Sequence, residues 1–334
     1  MKIAITADVH LTSEERNPER YHALRNILQQ LVTLEIDQLI IAGDLFDSSC
    51  RSPGEFESLL SLDQYSKINV LIIPGNHDPA LSPGSFTLTN INYIVKPQIT
   101  EFSKNIEFVF LPYEENKSIG EVLVSSGFNL KPNKWILVAH GDNLASTRLR
   151  NEYESGLYMP ISSRDIQVHQ PRKVFLGHIH SPMDSDVVHY PGSPCGLNIS
   201  ETGIRSFLVY DTVTGLVERV PIETDVIYFK INLTVFPSDN EHEFIKGKLV
   251  QQIADWHLSE EQKSKAKLRV KVNGYSTNRE EVLKTITDFL SQEKISLEDL
   301  VDLSELKLSN DIMRAEIASA VQDRILALDL IDDP

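Results

Sequence analysis

The sequence predicts an α/β fold with a layered core in the first two thirds of the chain, followed by a smaller C-terminal α+β domain. Two observations predict this. Short apolar runs alternate with stretches of helical periodicity from the first residues onwards, as strands separated by helices do. Near residue 225 the pattern changes to a long strand-like segment followed by amphipathic helical stretches. We therefore place a first domain at residues 1–225 and a second at residues 226–334.

Six predicted strands make up the core of the first domain. Each is a short run of apolar and β-branched residues, as expected for strands that are buried on both faces. They cover residues 2–6, 38–42, 70–73, 106–111, 135–139 and 174–176. A helix is predicted between the first two, because apolar residues recur there at helical spacing: Leu24, Ile27, Leu28, Leu31 and Leu34. Two later strands joined at Thr214-Gly215 form a predicted hairpin.

The second domain is predicted to alternate strands and helices. Residues 226–235 and 267–276 have the apolar alternation of strands, and residues 241–257 and 279–292 have helical periodicity. A C-terminal helix is predicted at residues 310–332. None of the metal-binding motifs described below falls in this domain.

Composition is that of a protein with a substantial hydrophobic core, since 41% of residues are hydrophobic and 24% are charged. No segment approaches the ~20 uninterrupted apolar residues that a membrane span requires, and the first residues begin a strand rather than a leader. Cys50 and Cys195 are too few for a disulfide framework or a cysteine-rich metal site. We expect a cytoplasmic protein with no membrane association.

The net charge is -16 and the isoelectric point is near 5.1. This balance argues against broad, non-specific binding of polyanions, which needs a basic surface. It does not exclude an enzyme that acts on nucleic acid, because bound metal ions supply local positive charge.

Polar residues with metal-binding side chains follow five of the predicted strands. The motifs are Asp8-x-His10, Gly43-Asp44 with Asp47, Asn76-His77-Asp78, His140-Gly141 and His178-x-His180. Each motif alone has an ordinary alternative as a turn or a strand end. Ligands in open α/β folds bind beyond the carboxyl ends of strands, however, so the five together predict one metal site.

The types of side chain in these motifs indicate which metals the site would hold. Carboxylate, imidazole and amide groups without a thiolate fit manganese, iron or zinc rather than calcium or a structural cysteine–zinc site. Seven candidate ligands are too many for one tetrahedral ion. They suit two ions ~3.5–4 Å apart that share a carboxylate, a pair that lowers the pKa of a bound water.

The five motifs, "DVH", "GDLFD", "GNHD", "AHG" and "GHIH", resemble those of the calcineurin-like metallophosphoesterases over roughly residues 1–215. Within that superfamily the chain resembles the SbcD-like DNA-repair nuclease subunits. This second resemblance rests on Pro191-Gly192-Ser193, on residues 201–207 and on the early segment "HLTSEERNPERY". It implies a layered β-sandwich flanked by helices, with residues 226–334 forming an α+β capping domain.

The resemblance implies a role for each residue of the site. Asp8, His10 and His180 would bind one metal ion. Asn76, His140 and His178 would bind the other, and Asp44 would bridge both. His77 would be the general acid, oriented by Asp47, and Asp78 would hold the loop. Arg16 and Arg20 would lie near the substrate groove, although ordinary solvation at the surface is an equal alternative for both.

The resemblance also implies an activity and partners. The chain would hydrolyse DNA as an exonuclease or endonuclease subunit in repair and recombination, using two divalent ions. Mn2+ is the first expectation, with Fe2+, Zn2+ and Mg2+ as alternatives. The partners would be DNA, an SbcC-like coiled-coil ATPase and a second copy of the chain. Two alternatives stay open: a phosphodiesterase for cyclic nucleotides or other small phosphodiesters, and a scaffold without catalysis.

Overall fold

The structure is a computed structural model that describes residues 1–50, 53–78, 81–103, 106–144, 156–238 and 240–309, together with residues 317, 320 and 324. The chain divides into two compact units. The first consists of Met1–Leu197 and Ile204–Asp225. The second consists of Asn198–Gly203 and Val226–Pro334.

The first unit contains twelve strands and four α-helices among its described residues. The strands are β1 (Lys2–Thr6), β2 (Gln38–Ala42), β3 (Asn69–Ile73), β4 (Ile91–Tyr93), β5 (Gln98–Ser103), β6 (Ile106–Leu111), β7 (Trp135–His140), β8 (Lys173–Gly177), β9 (Met183–Asp184), β10 (Val188–Tyr190), β11 (Ser206–Asp211) and β12 (Val217–Pro221). The helices are α1 (Pro18–Thr33), α2 (Gly54–Leu60), α3 (Ile119–Ser126) and α4 (Ser163–His169). Short 3-10 helices lie at Asp63–Tyr65 and Pro83–Ser85.

The strands form two six-stranded sheets. The order in the first is β12-β11-β1-β2-β3-β4, and in the second it is β5-β6-β7-β8-β10-β9. Strands β1 to β4 run parallel to one another, as do β6, β7, β8 and β10. Antiparallel pairing is confined to β11, β12, β5 and β9. Each sheet therefore has a parallel centre whose strands end at one edge.

Apolar side chains fill three layers of the first unit. Between the two sheets, Ile5 and Ile40 pack in one cluster with Phe108, Val138 and Phe175. The outer face of the first sheet packs against α1 and α2, and the outer face of the second packs against α3. The predicted sandwich flanked by helices is confirmed.

Helix α1 begins at Pro18, and its first two residues both favour the start of a helix. Pro18 lies at the start, where its missing N–H costs nothing, and Glu19 places a negative charge near the positive end of the helix dipole. The buried face is formed by Tyr21, Ala23, Leu24, Ile27, Leu28 and Leu31. Leu34, which the periodicity also selected, is exposed because the helix ends at Thr33.

The six predicted strands are all present, three of them longer by one or two residues than predicted. Strand β10, the edge strands β4, β5 and β9, and the short helices α2 to α4 were not predicted from the sequence. Three of those strands have only two or three residues, and β5 mixes polar and apolar side chains. Such segments give no apolar run that periodicity could detect.

The second unit has four parallel strands and three helices among the described residues between 226 and 309. They are β13 (Ile227–Val235), α5 (Glu241–Ala254), α6 (Glu260–Ser264), β14 (Ala266–Ser276), α7 (Arg279–Gln292), β15 (Ser296–Leu297) and β16 (Asp302–Leu308). Strand β14 pairs with the other three. Its core packs Ile231 and Val270 from the sheet with Leu249 and Ile286 from the helices. Phe229 stacks on Trp256 with ring centroids 3.9 Å apart.

The predicted C-terminal helix falls on residues that lie mainly outside the described part of the chain. Ile317, Ala320 and Arg324 are the described residues there, and they are helical. The predicted helix at 241–257 ends earlier than expected, at Ala254. Within the described ranges, no helix combines the length and the apolar character needed to cross a membrane. Cys50 and Cys195 are both buried, and they are not joined in a disulfide.

Candidate metal centre

Seven predicted ligands come together at the carboxyl ends of the central strands. Three of the five motifs follow β1, β2 and β3 of the first sheet, and the other two lie at the ends of β7 and β8 of the second sheet. The seven predicted ligands are Asp8, His10, Asp44, Asn76, His140, His178 and His180. Parallel strands of one sheet end at a common edge, so residues far apart in the sequence become neighbours here.

One half of the cluster contains Asp8, His10 and His180. Each offers one ligand atom, and these atoms lie within 4.8 Å of one another. The Nε2 atoms of His10 and His180 are 3.1 Å apart. Asp8 is fully buried, and its Oδ2 has no hydrogen-bond partner among the described residues. A buried carboxylate oxygen without a partner is costly, and a cation at this position would satisfy it.

The other half contains Asn76, His140 and His178. The Oδ1 atom of Asn76 lies 2.9 Å from His140 Nε2 and 3.2 Å from His178 Nδ1. His140 Nδ1 lies 3.0 Å from the carbonyl oxygen of Ala42, which can only accept, so this nitrogen carries a proton. The Nε2 atom of His140 is thereby left to face the cluster, the arrangement that metal-binding histidines usually have.

Asp44 lies between the two halves. Its Oδ2 atom is 3.4 Å from His140 Nε2 and 3.7 Å from His10 Nε2. Its Oδ1 atom accepts a hydrogen bond of 2.8 Å from the main-chain N–H of His77. One oxygen is therefore held by the backbone while the other faces both groups of ligands.

Four of these residues have a positive φ angle, in the left-handed region that residues other than glycine rarely adopt. The φ angles are 55° at Asp8, 51° at His10, 51° at Asp44 and 94° at His178. Main-chain bonds between the first two loops hold this geometry, from Asp8 N–H to Gly43 O at 3.1 Å and from His10 N–H to Asp44 O at 3.0 Å. Strained backbone of this kind concentrates at functional sites.

Gly43 permits the close approach of the second sheet to the first. Its φ angle is +91°, and a Cβ atom added there would lie 2.1 Å from His140 Nδ1. The loop and the imidazole therefore fit together only with glycine at this position.

Substitution Gly43→Ala is expected to destabilise the protein by about 2–5 kcal/mol, since it combines left-handed strain with overpacking. It should also weaken Mn2+ binding, because His140 must move. Gly127→Ala is the matched control, with φ +67° but no atom within 4 Å of the added Cβ, and should cost only about 1–2 kcal/mol. Urea denaturation and Mn2+ titration measure both effects. Equal costs for the two variants would contradict the contact with His140.

Burial and neighbouring charges set the protonation of the cluster. Burial raises the pKa of Asp8 to about 6, against the opposing effect of His180, and lowers the pKa of His10 to about 4, against that of Asp44. Burial also opposes the charged form of His140, but Asp44 outweighs it and raises the pKa of His140 to about 9. His140 and His10 in turn keep the pKa of Asp44 below its ordinary value despite burial. A cation in the cluster would replace the proton on His140 and favour ionised Asp8.

His77 and Asp47, the predicted general acid and its orienting group, lie beside the cluster. The His77 ring packs edge-on against His10, with centroids 5.1 Å apart. Asp47 accepts a hydrogen bond of 2.8 Å from Ser49 N–H, and its other oxygen lies 3.9 Å from Arg20 Nη1. Their catalytic roles stay predictions.

Asp78 has a structural role in its loop, as the sequence analysis expects. Its carboxylate accepts hydrogen bonds from Phe46 N–H at 2.7 Å and from Gly75 N–H at 2.8 Å. These bonds tie the loop after β3 to the loop after β2. Burial and Asp44 raise the pKa of Asp78 to about 7.

The two arginines assigned to the substrate groove occupy different environments. Arg16 is exposed and lines a cleft of about 540 Å³ with Thr12 and Ser49, which are close in sequence to His10 and Asp47. The Arg20 side chain is only 13% exposed, and its guanidinium donates to the carbonyl oxygen of His10. The alternative of ordinary solvation at the surface therefore fits the exposed Arg16 but not Arg20. A substrate role stays a prediction for both.

Three residues that contact the cluster were not predicted from the sequence. The Tyr158 ring lies 4.7 Å from the His178 ring, centroid to centroid, and the Tyr113 ring 6.3 Å from that of His140. Asp142 places Oδ1 3.7 Å from His178 Nε2 and accepts a hydrogen bond from Tyr158 N–H. Only Asp142 had a sequence signal, because it follows His140 by two residues.

Comparison with known proteins gives one family and several relatives. The sequence model of the calcineurin-like phosphoesterase family matches residues 1–215. The SbcD component of the nuclease SbcCD from Bacillus subtilis is 25% identical over 64% of this chain and 67% of its own length. The same component from Staphylococcus epidermidis is 25% identical over 60% of this chain and 63% of its own length. The DNA double-strand break repair protein Mre11 of Methanosarcina acetivorans is 33% identical over 23% of this chain and 14% of its own length.

Proposed function

Because the chain belongs to the calcineurin-like phosphoesterase family, we propose that it is a metal-dependent phosphodiesterase that acts on DNA. One observation carries the proposal. A single carboxylate oxygen, Asp44 Oδ2, lies within 3.7 Å of His10 and 3.4 Å of His140, which belong to different halves of the cluster. A shared carboxylate between two sets of ligands is what a pair of divalent ions requires.

The residues of the cluster fit such a pair. Asp8, His10 and His180 would hold one ion, Asn76, His140 and His178 the other, and Asp44 both. The buried Oδ2 atom of Asp8 and the mixed oxygen and nitrogen donors support this assignment. The ions, when bound, would supply the Lewis acidity that lowers the pKa of water and neutralises the charge of the phosphoryl group. We take Mn2+ as the working metal.

The protein would contribute proton transfer and positioning. The His77 imidazole would donate a proton to the sugar oxygen that leaves, and Asp47 would favour its protonated form. The main-chain N–H of His77 holds Asp44 Oδ1, so the general acid and the shared ligand are set by the same short segment. Residues 1–225 would form the catalytic domain and residues 226–334 a capping domain.

DNA is the proposed substrate because the relatives are named as a nuclease component and a DNA break repair protein. An SbcC-like ATPase, a second copy of this chain and a cytoplasmic location are part of the same proposal. The net charge of -16 favours a second candidate, a phosphodiesterase for small substrates, since it gives little unaided attraction for DNA. A scaffold without catalysis is disfavoured, because Asp44 and His77 are both present.

A substrate panel tests the proposal. The Mn2+-loaded protein is expected to cleave linear duplex or single-stranded DNA with at least about tenfold greater kcat/KM than cyclic nucleotides, which corresponds to about 1.4 kcal/mol in the transition state. Product release is measured for each substrate, with chelator-treated protein as the blank. Turnover of cyclic nucleotides alone would establish the second candidate, and no turnover on any substrate would establish the scaffold.

A further inference from the structure

The main-chain carbonyl of His180 is held by a buried arginine. Its oxygen accepts a hydrogen bond of 3.2 Å from Ser193 N–H and another from Arg205 Nη2. The same guanidinium donates from Nε to the carbonyl oxygen of Ser193 at 2.9 Å and from Nη2 to the Ser193 hydroxyl at 2.8 Å. Arg205 is 2% exposed and Ser193 is fully buried.

A guanidinium is rarely buried to this degree, because removing it from water is costly. Its bonds are charge-assisted, and its planar shape directs two of them at once. Here they connect His180 to the Ser193 segment that follows β10. The position of His180 is therefore set by Arg205 as well as by the end of β8.

The turn before Ser193 is built for this contact. Gly192 has a φ angle of +77°, and a Cβ atom there would lie 2.6 Å from the carbonyl oxygen of His180. Only glycine allows Ser193 and Arg205 to approach that oxygen together. The segment Pro191-Gly192-Ser193 and the run around Arg205 stand out in the sequence, and neither has a part in the catalytic roles proposed for the metal centre.

His10, the partner of His180 in the cluster, is held in the same way. The Arg20 guanidinium donates to the carbonyl oxygen of His10. The two imidazoles held by these arginines place their Nε2 atoms 3.1 Å apart. The same kind of bond therefore fixes both histidines of one half of the cluster.

We infer that Arg205 is a positioning residue of the metal centre, which fixes the main chain of His180 so that its imidazole faces Asp8 and His10. The inference rests on the proposed function, since it takes His180 as a metal ligand. Arg205 would act through the main chain of His180 and would contact neither the metal nor the substrate. Groups that orient metal ligands from outside typically change metal affinity by about 10–100-fold when removed.

Titration of the full-length protein with Mn2+ alone tests the inference. Arg205→Ala is expected to weaken one of two Mn2+ sites by about 10–100-fold and leave the other within about threefold. Arg205→Lys keeps a cation but not the planar fork, so an intermediate loss is expected. If the alanine variant does not fold, the lysine variant still tests the inference. Unchanged Mn2+ affinity in Arg205→Lys would overturn it.

Arg219→Ala is the matched control. Arg219 also donates to main-chain carbonyls, those of Met183, Tyr190 and Pro191, but to none of the ligand residues. It should lower the melting temperature of the metal-free protein and leave both Mn2+ affinities unchanged. Equal loss of affinity in the Arg205 and Arg219 variants would reduce Arg205 to a general structural role and overturn the inference. Wild-type protein that binds fewer than two ions would instead refute the proposed function and the inference with it.

Discussion

Substitution His77→Ala is expected to slow hydrolysis of DNA by about 10²–10⁴-fold while both metal ions stay bound. The sugar oxygen of a nucleotide is a poor leaving group unless it receives a proton, and His77 is the residue proposed to supply it. The ions are expected to stay because His77 contacts Asp44 through its main-chain N–H, at 2.8 Å, and alanine retains that group. The measurements are kcat on DNA and the number of Mn2+ ions per chain.

A change of leaving group separates proton donation from a positional role of His77. A p-nitrophenyl phosphodiester releases a stable anion that needs no proton. The His77→Ala variant should therefore lose less than about tenfold on this substrate, against about 10²–10⁴-fold on DNA. Equal losses on both substrates would refute a role as general acid and point to substrate positioning.

His22→Ala is the matched control for His77. The His22 imidazole also lies beside a carboxylate, with Nδ1 2.7 Å from Asp225 Oδ2, but it is about half exposed and outside the metal centre. Its replacement should leave turnover and metal content unchanged. Parallel loss in both variants would show that the effect comes from general damage to the first unit.

The clustering of the proposed metal ligands could be predicted from the sequence because the signal of each motif is local. Each motif follows an apolar run that predicts a strand. Parallel strands place the residues that follow them at one edge of the sheet, regardless of the conformation of the intervening loops. Asp8 and His10, or His178 and His180, are two residues apart, a spacing that places both near one centre. The central strands could be predicted for the same reason, since full burial requires a continuous apolar sequence.

The surroundings of these ligands could not be predicted, because they depend on contacts between distant segments. The arginine at position 205 has no sequence feature that relates it to His180, and only the turn at Gly192 brings them together. The left-handed backbone of Asp8 and Asp44 is likewise set by bonds between two loops rather than by propensity. A net charge of -16 describes the whole chain and says nothing of where Arg20 and Arg205 lie in the fold.

Substitution Asp44→Ala is expected to remove tight binding of both ions and to lower turnover by about 10³-fold or more. A metal pair supplies several kcal/mol of transition-state stabilisation, and each 1.36 kcal/mol corresponds to a factor of ten in rate. The Oδ2 atom of Asp44 lies 3.7 Å from His10 Nε2 and 3.4 Å from His140 Nε2, so one oxygen faces ligands of both halves. Loss of this group should therefore affect the two sites together. Elemental analysis and Mn2+ titration measure the bound ions.

Two further variants identify which property of Asp44 matters. Asp44→Asn keeps the shape and an oxygen that can accept from His77 N–H, but it removes the negative charge that two cations share. It should fold like the wild type and still lose tight binding of both ions, because a neutral amide bridges two divalent ions poorly. Asp184→Ala removes a carboxylate that contacts His189 at 2.7 Å outside the centre, and should retain both ions. If Asp44→Ala lost one ion only, Asp44 would serve a single site, and the two halves of the cluster would have to bind their metals independently.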